Sequence, residues 1–331
     1  MTRTLMPLLI LVSIGVAACG PASAPTAAPF EVIRLPMGYI PNVQFAPFYV
    51  AAERGFFADE GIELEFDYSF ETDGMKLVGA GELPFSLQSG EQVPIARAQG
   101  LPVVYVLQWW QRFPVVVASL ADRNIITPAD LHGKSIGTPL FGGASYIGWK
   151  ALVQSANLDE STMELQDVGY AQVAALLEGQ VDAAIVYSNN EPIQLERAGQ
   201  EISLIVVADF ANLVSNGIVT NEQTIAERPE LVTAMLRAFL RGLQATIDDP
   251  DAAFDICKRY IDGLGSDTEA EAAQREVLAA SIDLWRAPQL GLSNPASWET
   301  TLAVLEAMDL LSDPIPLPEI YTNRFVDAAG E

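Results

Sequence analysis

Residues 38–66 read GYIPNVQFAPFYVAAERGFFADEGIELEF, and this run constrains the fold more than any other. Pro41 keeps Ile40 out of helical geometry, so Tyr39, Asn42, Gln44 and Phe45 are expected on a loop, with Ala46 or Pro47 in the first turn of a following helix. A loop feeding a helix start offers free backbone N–H groups and side chains that can face a cleft. Gly55 stops the helix, and Ile62, Leu64 and Phe66 then alternate with acidic residues as a half-buried strand would.

Apolar runs ending in polar clusters recur along the chain. A short helix is expected near residues 75–80 and a strand over 83–87, followed by Gln88-Ser89-Gly90-Glu91 and a helix over 92–99. Ser89 either faces a ligand beside helix-start N–H groups or caps the helix. Residues 101–107 form a continuous apolar strand, as in a parallel sheet covered on both faces. It ends in Gln108-Trp109-Trp110. Neighbours on a strand point to opposite sides, so one of the two Trp is expected to face a cleft or water, unless both pack against the flank. A ring in a cleft stacks on a flat heterocycle for about 0.5–1.5 kcal/mol beyond area burial.

Residues 114–119 and 218–221 read as two crossing strands between lobes. The first lobe then takes residues 31–117 plus 220–331 and the second takes 118–219, with hinges at 115–119 and 217–221. In the middle portion, Phe141-Gly142-Gly143-Ala144-Ser145-Tyr146 leads into a helix over 147–156. Paired glycines admit close backbone approach and the helix start supplies donors. No Gly-Lys-Ser/Thr ending follows, which excludes a phosphate loop and nucleotide hydrolysis. A strand over residues 180–185 runs on to Tyr187, Asn189, Asn190 and Glu191, at the carboxyl end where open α/β sheets bind ligands. Asn190 either meets a ligand edge or caps the next helix. Asn216 returns the chain to the cleft, and a long helix is expected over 225–248 with Pro229 in its first turn.

Arg3 precedes an apolar run over residues 5–16 that is too short to span a bilayer, and Val16-Ala17-Ala18-Cys19-Gly20 has the form of a bacterial lipobox. Residues 1–18 are therefore expected to be a signal peptide, Cys19 the lipidated first residue of the mature protein, and 19–30 a Pro-rich tether. Only Cys257 then remains, so no internal disulfide is expected. The formal net charge of −25, from 18 basic and 43 acidic residues, argues against nucleic acid as a partner. The single histidine, His132, has no nucleophile pattern beside it, and no Cys/His cluster offers a metal site.

These motifs resemble solute-binding proteins of ABC importers in the thiamine-pyrimidine-synthase-like and sulfonate/nitrate-binding superfamily. The opening pattern x-P-N-x-x-x-x-P-x-Y-V-A-x-x-x-G-x-F is matched by Pro41, Asn42, Pro47, Tyr49, Val50, Ala51, Gly55 and Phe57. The pattern L-x-G-K-x-I-G is matched from Leu131 to Gly137, and G-x-x-D-A from Gly179 to Ala183. The resemblance implies an α/β fold of two lobes, the type II periplasmic-binding-protein fold, with a ligand cleft between lobes joined by two crossing strands. It also implies a monomer, lipid-anchored through Cys19 to the outer face of the cell membrane, that binds a small molecule and hands it to a permease driven by a cytoplasmic ATPase. Synthase relatives place a histidine in the opening motif where this chain has Gln44-Phe45, so neither catalysis nor a cofactor is expected.

The candidate ligand-binding set is Tyr39, Asn42, Gln44, Phe45, Gln88, Ser89, Glu91, Trp109, Trp110, Phe141, Gly143, Ser145, Tyr146, Tyr187, Asn189, Asn190, Glu191 and Asn216. No Arg converges with them, which disfavours sulfonate and nitrate. An aromatic, amide-rich cleft favours a flat uncharged heterocycle with hydroxyls. Riboflavin, carried by some similar importers, fits this description. The runner-up is a thiamine-type hydroxymethyl or aminomethyl pyrimidine, with Glu91 or Glu191 pairing its amino group. A sulfonate- or nitrate-type ligand, or a sensing role, are the remaining alternatives.

Overall fold

The computed structural model describes residues 30–330. The expected signal peptide, Cys19 and the tether up to residue 29 lie outside the described residues. Strand β1 (Glu31–Gly38) pairs in parallel with β2 (Ile62–Phe70), and the helices Ala46–Glu53 and Phe56–Asp59 connect them. The chain turns between the two helices at Gly55, which holds φ +75°. Strands β3 (Ser86–Ser89), β4 (Val103–Gln108) and β10 (Asn216–Asn221) form a second sheet, with β10 in the middle and antiparallel to both neighbours. Because β1 packs beside β3, the first lobe presents the succession β2, β1, β3, β10, β4.

The other lobe carries β5 (Val115–Leu120), β6 (Ser135–Thr138), β7 (Glu164–Asp167), β8 (Ala183–Tyr187) and β9 (Ile202–Val206). Their order is β7-β6-β8-β5-β9, with β5 the antiparallel member. Each lobe thus has its one antiparallel strand in fourth place, and that strand is the first the chain makes on arriving from the other lobe. This is the two-lobe periplasmic-binding-protein architecture. The fully buried runs Val103–Leu107 and Val115–Ala118 explain the unbroken apolar character of both segments.

Several element boundaries differ from expectation. The helix expected from residue 225 is two helices, Glu222–Glu227 and Pro229–Asp248. Pro229 forces Arg228 to φ −142°, ψ 50°, outside helical geometry, and Pro229 itself starts the second helix. The helix expected near residue 75 begins at Glu71, and β3 begins at Ser86 rather than 83. Strand β5 pairs wholly within the second lobe and β10 wholly within the first. We therefore propose lobe boundaries at 114/115 and 215/216, in place of 117/118 and 219/220, with the links at residues 109–114 and 207–215 as hinges.

Two C-terminal helices bridge the lobes from behind. Thr268–Trp285 packs on the turn Val43–Phe45 of the first lobe and on Glu191–Arg197 of the second. Arg197 pairs with Glu276 at 2.7 Å on that seam. In Pro295–Ala307, Trp298 meets Tyr105 edge-on at 5.2 Å, while Val304 and Leu305 join the core of the second lobe. Among the described residues, no helix is long and apolar enough to cross a membrane.

Candidate functional site

A cavity of about 210 Å³ lies between the lobes, walled by the carboxyl ends of the parallel strands and by the amino end of β10. This is where crevices form in open α/β sheets. On the first lobe, the turn Val43–Phe45 presents Gln44 and Phe45 to it. Asn42 does not reach the cavity, because its side chain accepts from the Gln44 N–H at 3.0 Å and caps that turn.

Trp109 and Trp110 both line the cavity, and both are buried. The expectation that the two would point to opposite sides fails because β4 ends at Gln108. Beyond it the N–H groups of Trp109 and Trp110 both donate to the Asn216 carbonyl, each at 3.0 Å, so the strand's alternation no longer applies. Trp109 sits in an aromatic cluster with Phe45 at 6.1 Å, Phe48 at 5.6 Å and Trp285 at 5.4 Å. Its Nε1–H has no protein partner. Trp110 stands edge-on to Tyr187 at 5.9 Å.

On the second lobe, the helix Gly143–Ser155 opens at the cavity, with Gly143 at φ +65°, and Gly143 and Ser145 on the wall. Phe141 and Tyr146 are turned away from it. With Ser145 facing inward, the next helical residue lies about 100° round the axis, so Tyr146 falls on the flank. There it meets the exposed Phe141 edge-on at 6.0 Å and Lys150 Nζ at 5.8 Å. At the end of β8, Tyr187, Asn190 and Glu191 line the cavity. Asn189 does not, since its Nδ2 donates to Ser281 Oγ at 2.8 Å and ties this turn to the bridging helix. Glu191 accepts from the Tyr187 N–H at 3.0 Å and from Asn190 Nδ2 at 2.9 Å, and burial raises its carboxyl pKa. Asn190 makes no side-chain cap on the following helix.

Besides the Trp110–Tyr187 pair, two more contacts among the described residues join the lobes across the cleft. The Tyr187 hydroxyl donates to Asn216 Oδ1 at 3.2 Å, and Tyr39 meets Tyr170 edge-on at 5.1 Å. Burial, with Glu191 second, raises the pKa of the Tyr39 hydroxyl.

The residues 88–91 stand one layer behind the cavity, and the side chain that puts them there is Glu71. Glu71 lines the cavity at the start of its helix. Its Oε1 accepts from the Ser89 N–H at 3.0 Å and its Oε2 from the Ser89 hydroxyl at 2.7 Å. Ser89 therefore does not line the cavity, and it makes no cap on the next helix. Gln88 Nε2 donates to the Glu71 carbonyl at 2.9 Å and to Ser86 Oγ at 3.0 Å. Glu91 is fully buried, with Oε1 accepting from Gln92 Nε2 at 3.1 Å and Oε2 left without a protein partner. Burial pushes the Glu71 carboxyl up to about 7, with the Glu91 charge adding to it, and raises Glu91 as well.

Glu71, Tyr170 and Gln172 are wall residues that the sequence reading missed. An acid in a helix's first turn ordinarily faces water, so Glu71 gave no signal. Among the described residues, the wall includes Glu71 and Glu191 but no Arg, Lys or His. The site can thus sandwich a flat ring between aromatic faces and satisfy its polar edge with amides, phenols and carboxyls.

A family model described as NMT1/THI5 like matches residues 42–253. The chain is 37% identical to riboflavin-binding protein RibY of Chloroflexus aurantiacus, over 98% of each chain. It is 28% identical to the formylaminopyrimidine-binding protein of Halalkalibacterium halodurans, over 95% of this chain and 97% of that one. Among solved structures, the periplasmic aliphatic sulphonate binding protein SsuA from Escherichia coli superposes with a TM-score of 0.71, covering 88% of this chain and 92% of that one. At 13% identity that likeness carries the fold alone.

Proposed function

The chain belongs to the NMT1/THI5-like family, and from that premise we propose that it is the solute-capturing component of an ABC importer whose ligand is riboflavin. The observation that carries this reading is the composition of the cavity wall. Phe45, Trp109, Trp110, Tyr39, Tyr170 and Tyr187 supply ring faces, Gln44, Asn190 and Asn216 supply amides, and no described residue brings a basic side chain to the wall. Anionic solutes are ordinarily gripped by Arg or Lys, so this wall disfavours sulfonate and nitrate. An uncharged three-ring heterocycle with a hydroxylated tail matches rings and amides alike. The relative with the riboflavin name, aligned over nearly the whole chain, supports the same choice.

Capture proceeds without chemistry. The carboxyls of Glu71 and Glu191 are oriented by Ser89 and by Tyr187 and Asn190 and keep acceptor positions for a ligand, and the phenols of Tyr39 and Tyr187 are held neutral by burial. Ligand enters the open cleft, the aromatic residues stack on it, and closure brings Tyr39 to Tyr170 and Tyr187 to Asn216. The closed face is then presented to the permease. Lipidation at Cys19 would hold this monomer at the outer surface of the membrane, within reach of that partner.

A thiamine-type pyrimidine is the second reading. It is favoured by the two carboxyls on the wall, Glu71 and Glu191, which can pair with an amino group on the ring. Glu91, offered for that role by the sequence, stands behind the wall. The deciding experiment is a tryptophan-fluorescence titration of the purified, ligand-stripped protein with riboflavin and with the hydroxymethyl pyrimidine. Saturable quenching by riboflavin, retained after correction for absorbance and weakened in a Tyr39→Ala/Tyr170→Ala variant, is the expected result. Saturable binding of the pyrimidine with no response to riboflavin would refute the flavin reading.

A further inference from the structure

Glu71 begins the helix Glu71–Gly79, yet its side chain is fixed by other strands. Ser89, at the end of β3, donates to both carboxylate oxygens, and Asn216 Nδ2, at the start of β10, stands 3.5 Å from Oε1. Each carboxylate oxygen accepts about two hydrogen bonds, so Oε2 retains an acceptor site after Ser89 is served. Oε2 also lies 3.9 Å from the place a Cβ on Gly143 would take, at the first residue of a 13-residue helix in the opposite lobe. Backbone N–H groups at a helix start are the donors an anionic ligand uses.

We infer that Glu71 is the specificity-determining residue of the cleft: its carboxylate takes the place in front of the Gly143 helix that an anionic group would occupy, so the solute must present a hydrogen-bond donor there. This rests on the reading of the cleft as a site for a neutral heterocycle. A second negative group in that place meets like charge in a half-buried setting, whereas an N–H or O–H of an uncharged ring completes Oε2. Because the carboxyl is held from one lobe and stands against the helix of the other, the open acceptor position on Oε2 is shaped only when the lobes are together.

The test is isothermal titration at pH 8 of riboflavin, methanesulfonate and inorganic phosphate into ligand-free wild type and Glu71→Gln. The variant is expected to bind riboflavin at least about tenfold more weakly and one or both anions at least about tenfold more tightly, as one charge-assisted acceptor and one like-charge repulsion are lost. A riboflavin-to-anion ratio unchanged in a variant that unfolds cooperatively in urea overturns the inference. The anion arm needs no flavin. If wild type fails to bind riboflavin, the functional reading fails, while a gain of anion binding in the variant still supports the role of Glu71 and no gain overturns it. Should Glu71→Gln not fold, wild type alone decides: methanesulfonate binding as tight as riboflavin overturns the inference, and binding at least about 100-fold weaker supports it.

Discussion

Raising the pH from 5 to 8 is expected to destabilise the ligand-free fold through Glu71, and Glu71→Gln to remove that component. The carboxyl titrates at 4.5 in the unfolded chain and at about 7 in the fold, where burial and the neighbouring Glu91 favour its protonated form. The folded state therefore binds more protons between those two values. The stability contributed by this group is fully present below pH 4.5, falls as pH rises, and is lost once pH has passed the folded value of about 7. At 1.36 kcal/mol per pH unit, the interval from 4.5 to about 7 sets the loss at about 3 kcal/mol. The assay is urea unfolding of both proteins at pH 5, 6, 7 and 8, read as the difference in free energy between them. Taking that difference cancels titrations the two share, and following its change with pH removes the constant effect of placing an amide against the Ser89 hydroxyl. Glu71→Gln should gain about 2–3 kcal/mol relative to wild type across the range. A difference that stays flat, or that moves in favour of wild type as pH rises, refutes the placement of this carboxyl in a half-buried site that feels the Glu91 charge.

Trp109→Ala should cost about 3–5 kcal/mol in urea unfolding, since the ring is buried among Phe45, Phe48 and Trp285, and a cost under 1 kcal/mol would place it on the cavity surface alone. Gly217→Ala should also destabilise the protein, by about 2–4 kcal/mol in the same measurement, because the added Cβ would stand 2.0 Å from the Leu107 carbonyl and 2.2 Å from the Tyr105 hydroxyl, on the middle strand of the β3-β10-β4 sheet. The Cys257 thiol is fully buried and pushed up to about 12, so a thiol reagent at pH 8 should label it, by peptide mapping, only after denaturation.

The lobes were legible because their central strands are buried on both faces and read as unbroken apolar runs, and because Gly55 and Asp182-Ala183 sit where a turn and a strand start must be. The cavity wall was legible wherever a polar or aromatic cluster follows such a run directly, as at Trp109-Trp110 and at Tyr187, Asn190 and Glu191. Direction was harder to read than position. Gln88, Ser89 and Glu91 follow their strand as expected, but Glu71, 18 residues before Ser89, draws that turn back from the cavity. Phe141 and Tyr146 flank a helix start whose phase was set by Ser145. Tyr170 follows a short, half-exposed strand, so only its contact with Tyr39 across the cleft gives it a role.

Strand β10 joins β3 to β4, yet it is made of residues 216–221, after all of β5 to β9. A ribosome releasing this chain from its amino end delivers β1 to β4 long before the strand that unites them. The lobe inserted between residues 115 and 206 has all five of its strands in hand while the outer lobe still lacks its centre. The part of the protein that is translated first is thus the part completed last, and closing it spans a loop of more than 100 residues from β4 to β10. A nascent chain halted before residue 216 would carry β3 and β4 with bare inner edges, the arrangement from which sheets join their neighbours. A chaperone that binds the nascent chain would meet this amino-terminal segment as a half-built sheet awaiting its middle strand.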